Sequence, residues 1–351
     1  MGRIPVAVLG GTGTVGQTFV RLLAEHPIFQ VAEIAASERS AGRRYGDVVH
    51  WHEGECPSDV AALTVQSVLP DEIESPVVFS ALDASVAGEV EETFARAGRI
   101  VLSNARNHRM DEAVPLVVAE VNAQHLRLIE GQREQRGWSG AIVANPNCAA
   151  TVASLALAPL HEAFGVRSAF VTTLQAVSGA GYPGVPSLDI LGNVIPEIGG
   201  EEEKIETELH KILGRFDGTT ISKATFPVSA HANRVPVEHG HTVCLTIGLD
   251  RPASPEEAAT VMEGWRGDSA CAGLPSAPSR PVIVRRESDR PQPRRDVDAG
   301  AGMSVVVGRL RPDAVLDLRL VALGHNTIRG AAGGSVLNGE VMAKLGMIPH
   351  R

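Results

Sequence analysis

Residues Gly10-Gly11-Thr12-Gly13-Thr14-Val15-Gly16 directly follow an apolar run, Ile4–Leu9, and lead into a helix-like segment, Val15–Glu25. A Gly-x-Gly-x-x-Gly pattern between a buried strand and a helix is the setting in which the backbone turns tightly and meets a pyrophosphate at the helix N-terminus. This one feature constrains the chain to begin as a dinucleotide-binding α/β unit. Further strands are expected at Gln30–Ala36, Val77–Ala81 and Ile100–Ser103, with a helix over Ala84–Ala97, the alternation of a parallel, doubly wound sheet. At the end of the second strand, where NAD-binding chains carry an acid for the ribose hydroxyls, stand Ala35-Ala36-Ser37. Ser37, Arg39, Ser40 and Arg43 follow as groups suited to a 2′-phosphate, and they favour NADP.

The character changes near Asn145-Pro146-Asn147-Cys148, which sets a domain boundary there. Strands are expected beyond it at Ser168–Ala176, Ser222–Val228, His241–Leu249, Pro281–Val284, Met303–Leu310 and Leu316–Leu323, and helices at Glu201–Leu213 and Pro255–Trp265. The latter opens with Ser254, then Pro255, then Glu257, the pattern of a capping box. More strands than helices indicate an α+β domain whose sheet keeps one face for a partner. Gly330–Leu345 reads as a helix returning to the first domain, and Arg285–Gly300 as the least regular stretch. The expected division is residues 1–147 with 330–351 for the NADP-binding part, and 148–329 for the second.

In 351 residues, 32 Lys and Arg against 41 Asp and Glu give a net charge of −9, and no basic stripe is evident. Nucleic acid and anionic membranes are therefore poor partners for this surface. No leader-like segment or membrane span is read in the sequence, and the four cysteines lie far apart, so free thiols in the cytoplasm are expected. Cys148 differs from Cys56, Cys244 and Cys271 because it follows Asn147, a good helix cap, and precedes a helix-forming run. The start of a helix favours a thiolate. A thiolate beside a nicotinamide suggests attack on an acyl group or aldehyde, with hydride transfer at the same carbon and a histidine as acid and base. Spacing alone does not separate His241 from His239.

The ordered motifs now combine. Gly10-x-x-Gly13-x-Val15-Gly16, Ser103-Asn104-Ala105, Asn145-Pro146-Asn147-Cys148, Gln175-Ala176-Val177-Ser178-Gly179-Ala180-Gly181, Glu201-Glu202-Glu203-Lys204, Asn233-Arg234-Val235-Pro236-Val237 and Gly240-His241 make the chain resemble the aspartate-semialdehyde dehydrogenase family, in its archaeal and fungal branch. The resemblance runs from the first strand to the last helix. It implies a fold like glyceraldehyde-3-phosphate dehydrogenase, a Rossmann-type sheet with a catalytic and dimerisation domain, assembled as a homodimer or homotetramer. It also implies reversible NADPH-dependent reduction of β-aspartyl phosphate to aspartate semialdehyde and phosphate, in lysine, methionine and threonine synthesis.

By the same resemblance Cys148 matches the nucleophile, His241 the acid/base and Gln175 the residue that orients the acyl group. Arg234 matches the carboxylate ligand, Glu201 the ammonium ligand, and Lys204 with Arg109 and Asn104 the phosphate ligands. Gly10 through Gly16, with Ser178 and Gly179, match the cofactor site. Ala149 and Ala232 depart from the hydroxyl or thiol residues common at those positions. His50-Trp51-His52 is unusual, and neither it nor His239, His241 and Cys244 belongs to a metal site that the family requires. Malonyl-CoA reductase resembles the same branch, but its substrate has no ammonium for Glu201 to meet. A non-catalytic NADP-binding module would have no use for Cys148, Gln175, Arg234 and His241 together.

Overall fold

The computed structural model describes residues 2–348. Met1 and Pro349–Arg351, which the sequence reading assigns to the first domain, lie outside the described residues. Strands β1 (Ile4–Leu9), β2 (Phe29–Ala35), β3 (Val65–Gln66), β4 (Val77–Ser80), β5 (Ile100–Ser103) and β6 (Ala141–Ala144) form a parallel sheet in the order β3-β2-β1-β4-β5-β6. The order reverses beside β1, so a crevice opens at its carboxyl end, where the glycine-rich turn sits. Side chains alternate across the sheet. Val6 and Val8 enter a core with the Thr14–Leu23 and Gly333–Lys344 helices, and Ala7 and Leu9 enter one with the Cys148–Phe164 helix.

The chain continues into β7 (Val166–Gln175), the small hairpin β8 (Arg215–Phe216) and β9 (Ile221–Ser222), then β10 (Val228–Arg234), β11 (His241–Leu249), β12 (Val282–Val284), β13 (Val305–Pro312) and β14 (Leu318–Gly324). Apart from the hairpin these make a mixed sheet, β10-β7-β11-β14-β13-β12. The Cys148–Phe164 helix packs between the two sheets and is buried along almost its whole length, which explains its uniformly small and apolar sequence. The Ser254 capping box forms as expected.

Two expectations need correction. The strand expected at Ser222–Val228 instead runs from Val228 to Arg234. Residues 223–227 are held to the Glu201–Ile212 helix, with Ala224 N–H donating to His210 O at 2.8 Å and His210 Nε2 meeting Phe226 O at 2.7 Å, and Pro227 has no N–H for a ladder. The closing helix begins at Gly333, after a five-residue π-helical segment, Ile328–Ala332. Arg329 of that segment forms a buried two-pronged ion pair with Glu120, at 2.6 and 2.7 Å.

Candidate active site

Cys148 is the first residue of its helix. Asn147 caps it, its Oδ1 accepting the N–H groups of Ala149 at 3.0 Å and Ala150 at 3.1 Å. His241 opens β11, and its Nε2 lies 3.1 Å from Cys148 Sγ. Behind the ring, Ala176 N–H donates to Nδ1 at 3.1 Å. Gly240, at φ +99, makes the turn into β11, and its N–H donates to Asn326 Oδ1. Gly330 closes the other side; a Cβ there would stand 2.5 Å from the Cβ of Cys148.

The helix start that favours a thiolate at Cys148 meets an opposing influence. Burial pushes the Cys148 thiol up to about 12, helped by nearby Glu201 and opposed by Arg109, the Ala149 N–H and Arg234. Burial pushes His241 down to about 3, with Arg234 and His325 adding to the effect and Glu201 opposing it. For both groups burial is the largest influence, and at Cys148 it opposes the helix start.

Buried polar groups surround this pair. Glu201, first in its helix, accepts Asn147 Nδ2 at 2.8 Å, Gln175 Nε2 at 3.2 Å and Lys204 Nζ at 2.7 Å. Burial pulls its carboxyl up, but Lys204, Asn147 and Gln175 outweigh burial and hold it below the ordinary range. Arg234, at the end of β10, donates to Ala176 O at 2.8 Å. Arg109 donates to Glu208 at 2.9 Å and to Asn104 O at 2.9 Å, and its Nε has no hydrogen-bond partner among the described residues. Asn104 Oδ1 accepts from Asn145 Nδ2 at 3.2 Å. Thus Cys148, His241, Gln175, Glu201, Lys204, Arg234, Arg109 and Asn104 belong to one connected cluster. Lys204 and Arg109 already face carboxylates there. Ala149 and Ala232 are both buried, and Ala232 N–H donates to Glu202.

The dinucleotide cleft is a cavity of about 660 Å³ lined by Gly10, Thr12, Gly13, Thr14, Val15 and Ser37 on one wall and Ala180, Gly181 and Tyr182 on the other. The residues fit a pyrophosphate. Gly10 has φ +72, a Cβ on Gly16 would stand 2.3 Å from Gly10 O, and the Thr14–Leu23 helix has no side-chain cap on its first N–H groups. Ser37, Arg39 and Arg43 are exposed and Ser40 half-buried on the turn after β2, with no ion pair to either arginine among the described residues. Ser178 and Gly179 face the nucleophile rather than the cleft wall. A Cβ on Gly179 would come within 2.9 Å of Arg234 Nη1 and 3.0 Å of His241 Cε1, and Ser178 Oγ accepts from Asn326 Nδ2 at 2.8 Å. The segment Ala176–Tyr182 therefore joins the cleft to the thiol.

His50 and His52 line the same cleft, their rings against Tyr182 at 5.6 and 4.6 Å between centroids. Among the described residues no three His, Cys, Asp or Glu side chains gather as metal ligands, and no helix is long and apolar enough to cross a membrane. Sequence reading missed Glu208, Asn326 and Gly330. Glu208 joins Arg109 to the Asn147 N–H across 99 and 61 residues, contacts that no local pattern marks. The only local hint at Asn326 and Gly330 was a polar and glycine-bearing stretch before a helix.

A Rossmann-type cleft leading to a half-buried cysteine against a buried histidine, ringed by two carboxylates and several cations, defines a nicotinamide-dependent dehydrogenase that works through a cysteine nucleophile. A semialdehyde dehydrogenase NAD binding domain matches residues 5–129, and a semialdehyde dehydrogenase dimerisation domain matches residues 157–329. The chain belongs to the aspartate-semialdehyde dehydrogenase family. It is 50% identical to the aspartate-semialdehyde dehydrogenase of Archaeoglobus fulgidus over 97% of this chain and 98% of that one. It is 43% identical to that of Schizosaccharomyces pombe over 98% and 99%. The crystal structure of the Candida albicans enzyme with NADP superposes with a TM-score of 0.91 at 41% identity, covering 98% of this chain and 100% of the other.

Proposed function

We propose that the chain catalyses the reversible, NADPH-dependent reductive dephosphorylation of β-aspartyl phosphate to aspartate semialdehyde through a Cys148 thioester, in the cytoplasmic route to lysine, methionine and threonine. The observation that carries this reading is the 3.1 Å contact between Cys148 Sγ and His241 Nε2, which the Ala176–Tyr182 segment connects to the dinucleotide cleft. NADPH, held by Gly10 through Gly16, Ser178 and Gly179, with Ser37, Arg39, Ser40 and Arg43 toward its 2′-phosphate, supplies the hydride for the acyl carbon.

The chain's own groups do the rest. Cys148 takes the acyl group from phosphate, and Gln175 orients it. Arg234 turns from Ala176 O to the substrate carboxylate, where donor and acceptor are both charged and two parallel bonds can form. Glu201 exchanges Lys204 for the substrate ammonium, which releases Lys204 to act with Arg109 and Asn104 on phosphate. The N–H of Cys148, which the Asn147 cap does not take, stabilises the oxyanion, and His241 serves the proton steps. In this reading residues 1–147 with 330–351 bind NADP, and 148–329 carry catalysis and the face through which two or four copies associate.

The test is phosphate-dependent reduction of NADP, followed by absorbance, with aspartate semialdehyde compared with malonate semialdehyde plus CoA. Activity with the first alone is expected, and Cys148→Ser abolishes it while NADPH binding stays unchanged. Activity confined to the second pair, or turnover in Cys148→Ser near that of the wild type, overturns the reading.

A further inference from the structure

The dinucleotide cleft offers a diphosphate little positive charge. Of the described side chains that line it, Asp83 is the one carboxylate, and His50 and His52 are the only ones that can become cations. Arg21, one turn beyond Gln17 on the Thr14–Leu23 helix, is taken up by Glu53 at 2.7 Å, and Glu53 also accepts Thr18 Oγ1 at 2.6 Å. Asp83 caps the Ala84–Arg96 helix through Ser85 N–H at 2.9 Å. The two histidines are fixed from beneath. Gln17 is buried, and its Nε2 donates to Thr12 O at 3.0 Å and to His50 O at 2.9 Å, while its Oε1 accepts His52 N–H at 2.7 Å. Tyr45 Oη donates to Gly11 O at 2.8 Å, and Trp51 sets its ring against Tyr45 and the core of the first domain. Residues 50–52 are thereby tied to the glycine-rich turn, with Trp51 packed inward and an exposed imidazole on either side of it. The two imidazoles lie 4.4 Å apart between centroids, and both meet Tyr182 on the opposite wall. Rings this close repel one another when both are protonated, and an anion beside them relieves that repulsion.

We propose that His50 and His52 bind the diphosphate bridge of NADP as a cationic pair, and that Tyr182 holds their rings in place from across the cleft. The inference deepens, and rests on, the reading that NADP occupies this cleft. The Thr14–Leu23 helix start brings N–H groups and a partial charge to the diphosphate, but no full charge and no side-chain cap. Two imidazolium rings supply that charge together with N–H donors, and such charge-assisted hydrogen bonds are stronger than neutral ones. The diphosphate is the same in the oxidised and reduced cofactor. Loss of the histidine pair is therefore expected to weaken both forms alike, and to act on affinity rather than on the hydride step.

Equilibrium binding to the full-length enzyme tests this without turnover. NADPH is followed by its fluorescence, and two fragments are measured by displacing it: 2′-phospho-ADP-ribose, which keeps the diphosphate but lacks nicotinamide, and adenosine 2′-monophosphate, which lacks both. The double variant His50→Ala/His52→Ala should weaken NADPH and 2′-phospho-ADP-ribose by at least about tenfold each, and leave adenosine 2′-monophosphate within about twofold, which also shows that the fold is intact. His50→Lys/His52→Lys, which restores charge without the rings, should recover most of the loss. Equal weakening of all three ligands would place the histidines at the adenine or 2′-phosphate end, weakening of NADPH alone would place them at the nicotinamide, and a loss that lysine does not recover would make their role one of packing; each overturns the proposal. Tyr182→Leu should weaken 2′-phospho-ADP-ribose by about threefold and add nothing to the histidine double variant. Losses that add in full would overturn the part given to Tyr182. A parent enzyme that binds neither NADPH nor 2′-phospho-ADP-ribose overturns the cofactor reading and this one with it, whereas unchanged binding in the histidine variant overturns this one alone.

Discussion

Replacing Gly330 by alanine places one methyl group against the nucleophile. The new Cβ would lie 2.5 Å from the Cβ of Cys148 and 2.9 Å from its Cα, whereas carbon atoms rest at about 3.5–4.0 Å. The backbones must therefore part by about 1 Å or more. Gly330 lies outside the left-handed region, so alanine brings no dihedral strain of its own and the contact alone is being tested. Neither side yields easily. Cys148 begins a helix enclosed by both sheets, and the Ile328–Ala332 segment is anchored by the Arg329–Glu120 pair and by Asn145 Nδ2, 3.4 Å from the carbonyls of Gly330 and Ala331. Overpacking of this kind costs about 1–3 kcal/mol in stability. A reacting group displaced by about 1 Å loses on the order of 100-fold in rate. Steady-state kinetics should show kcat down by that order, while NADPH affinity, measured by fluorescence, changes less than about threefold, under 1 kcal/mol. A variant with kcat within about threefold of the parent would refute the claim that this contact positions the thiol.

Ser37→Glu should exchange cofactor preference, lowering kcat/KM for NADP relative to NAD by at least about tenfold, since a carboxylate there repels a 2′-phosphate and accepts ribose hydroxyls; an unchanged ratio from parallel assays would rule out that side of the cleft. His125, buried between Asn122 and the carbonyl of Gly214, is pushed down to about 4, chiefly by burial. The unfolded chain thus binds the extra proton first. His125 alone should then cost about 3 kcal/mol of stability as pH drops from about 6.5 to about 4, at 1.36 kcal/mol per pH unit, with His241 and His325 adding to the fall. His125→Gln, which retains a donor for Gly214, should make the dependence shallower by that amount in urea titrations, and an identical slope would exclude His125 as a contributor.

The features legible in the sequence were those with a local cause. Leu9 before Gly10 marks the crevice, Ser254 with Glu257 marks a helix start, and Asn147 before Cys148 marks the helix that holds the thiol. Strand β3 escaped because two residues carry too little periodicity, and β6, no shorter than β4 or β5, because only Ile142 and Val143 of its four residues favour a strand. The segment around Pro227 misled because its apolar side chains face a helix rather than a ladder partner. The upward push on the Cys148 thiol was unreadable for a different reason. The helix start that favours the thiolate is local, whereas the burial that opposes it is set by chain distant in sequence, such as His241, 93 residues away, and Gly330.

The main chain passes between the two sheets twice near the site, at Asn145–Cys148 and at Gly324–Gly333, and both passages run beside the sulfur, where Asn145 ties one to the other. The sulfur thus sits where two distant stretches of main chain are knotted side by side, so a disturbance of either one, whether at Asn145 or within Ile328–Ala332, is delivered to the thiol through backbone and needs no relay of side chains.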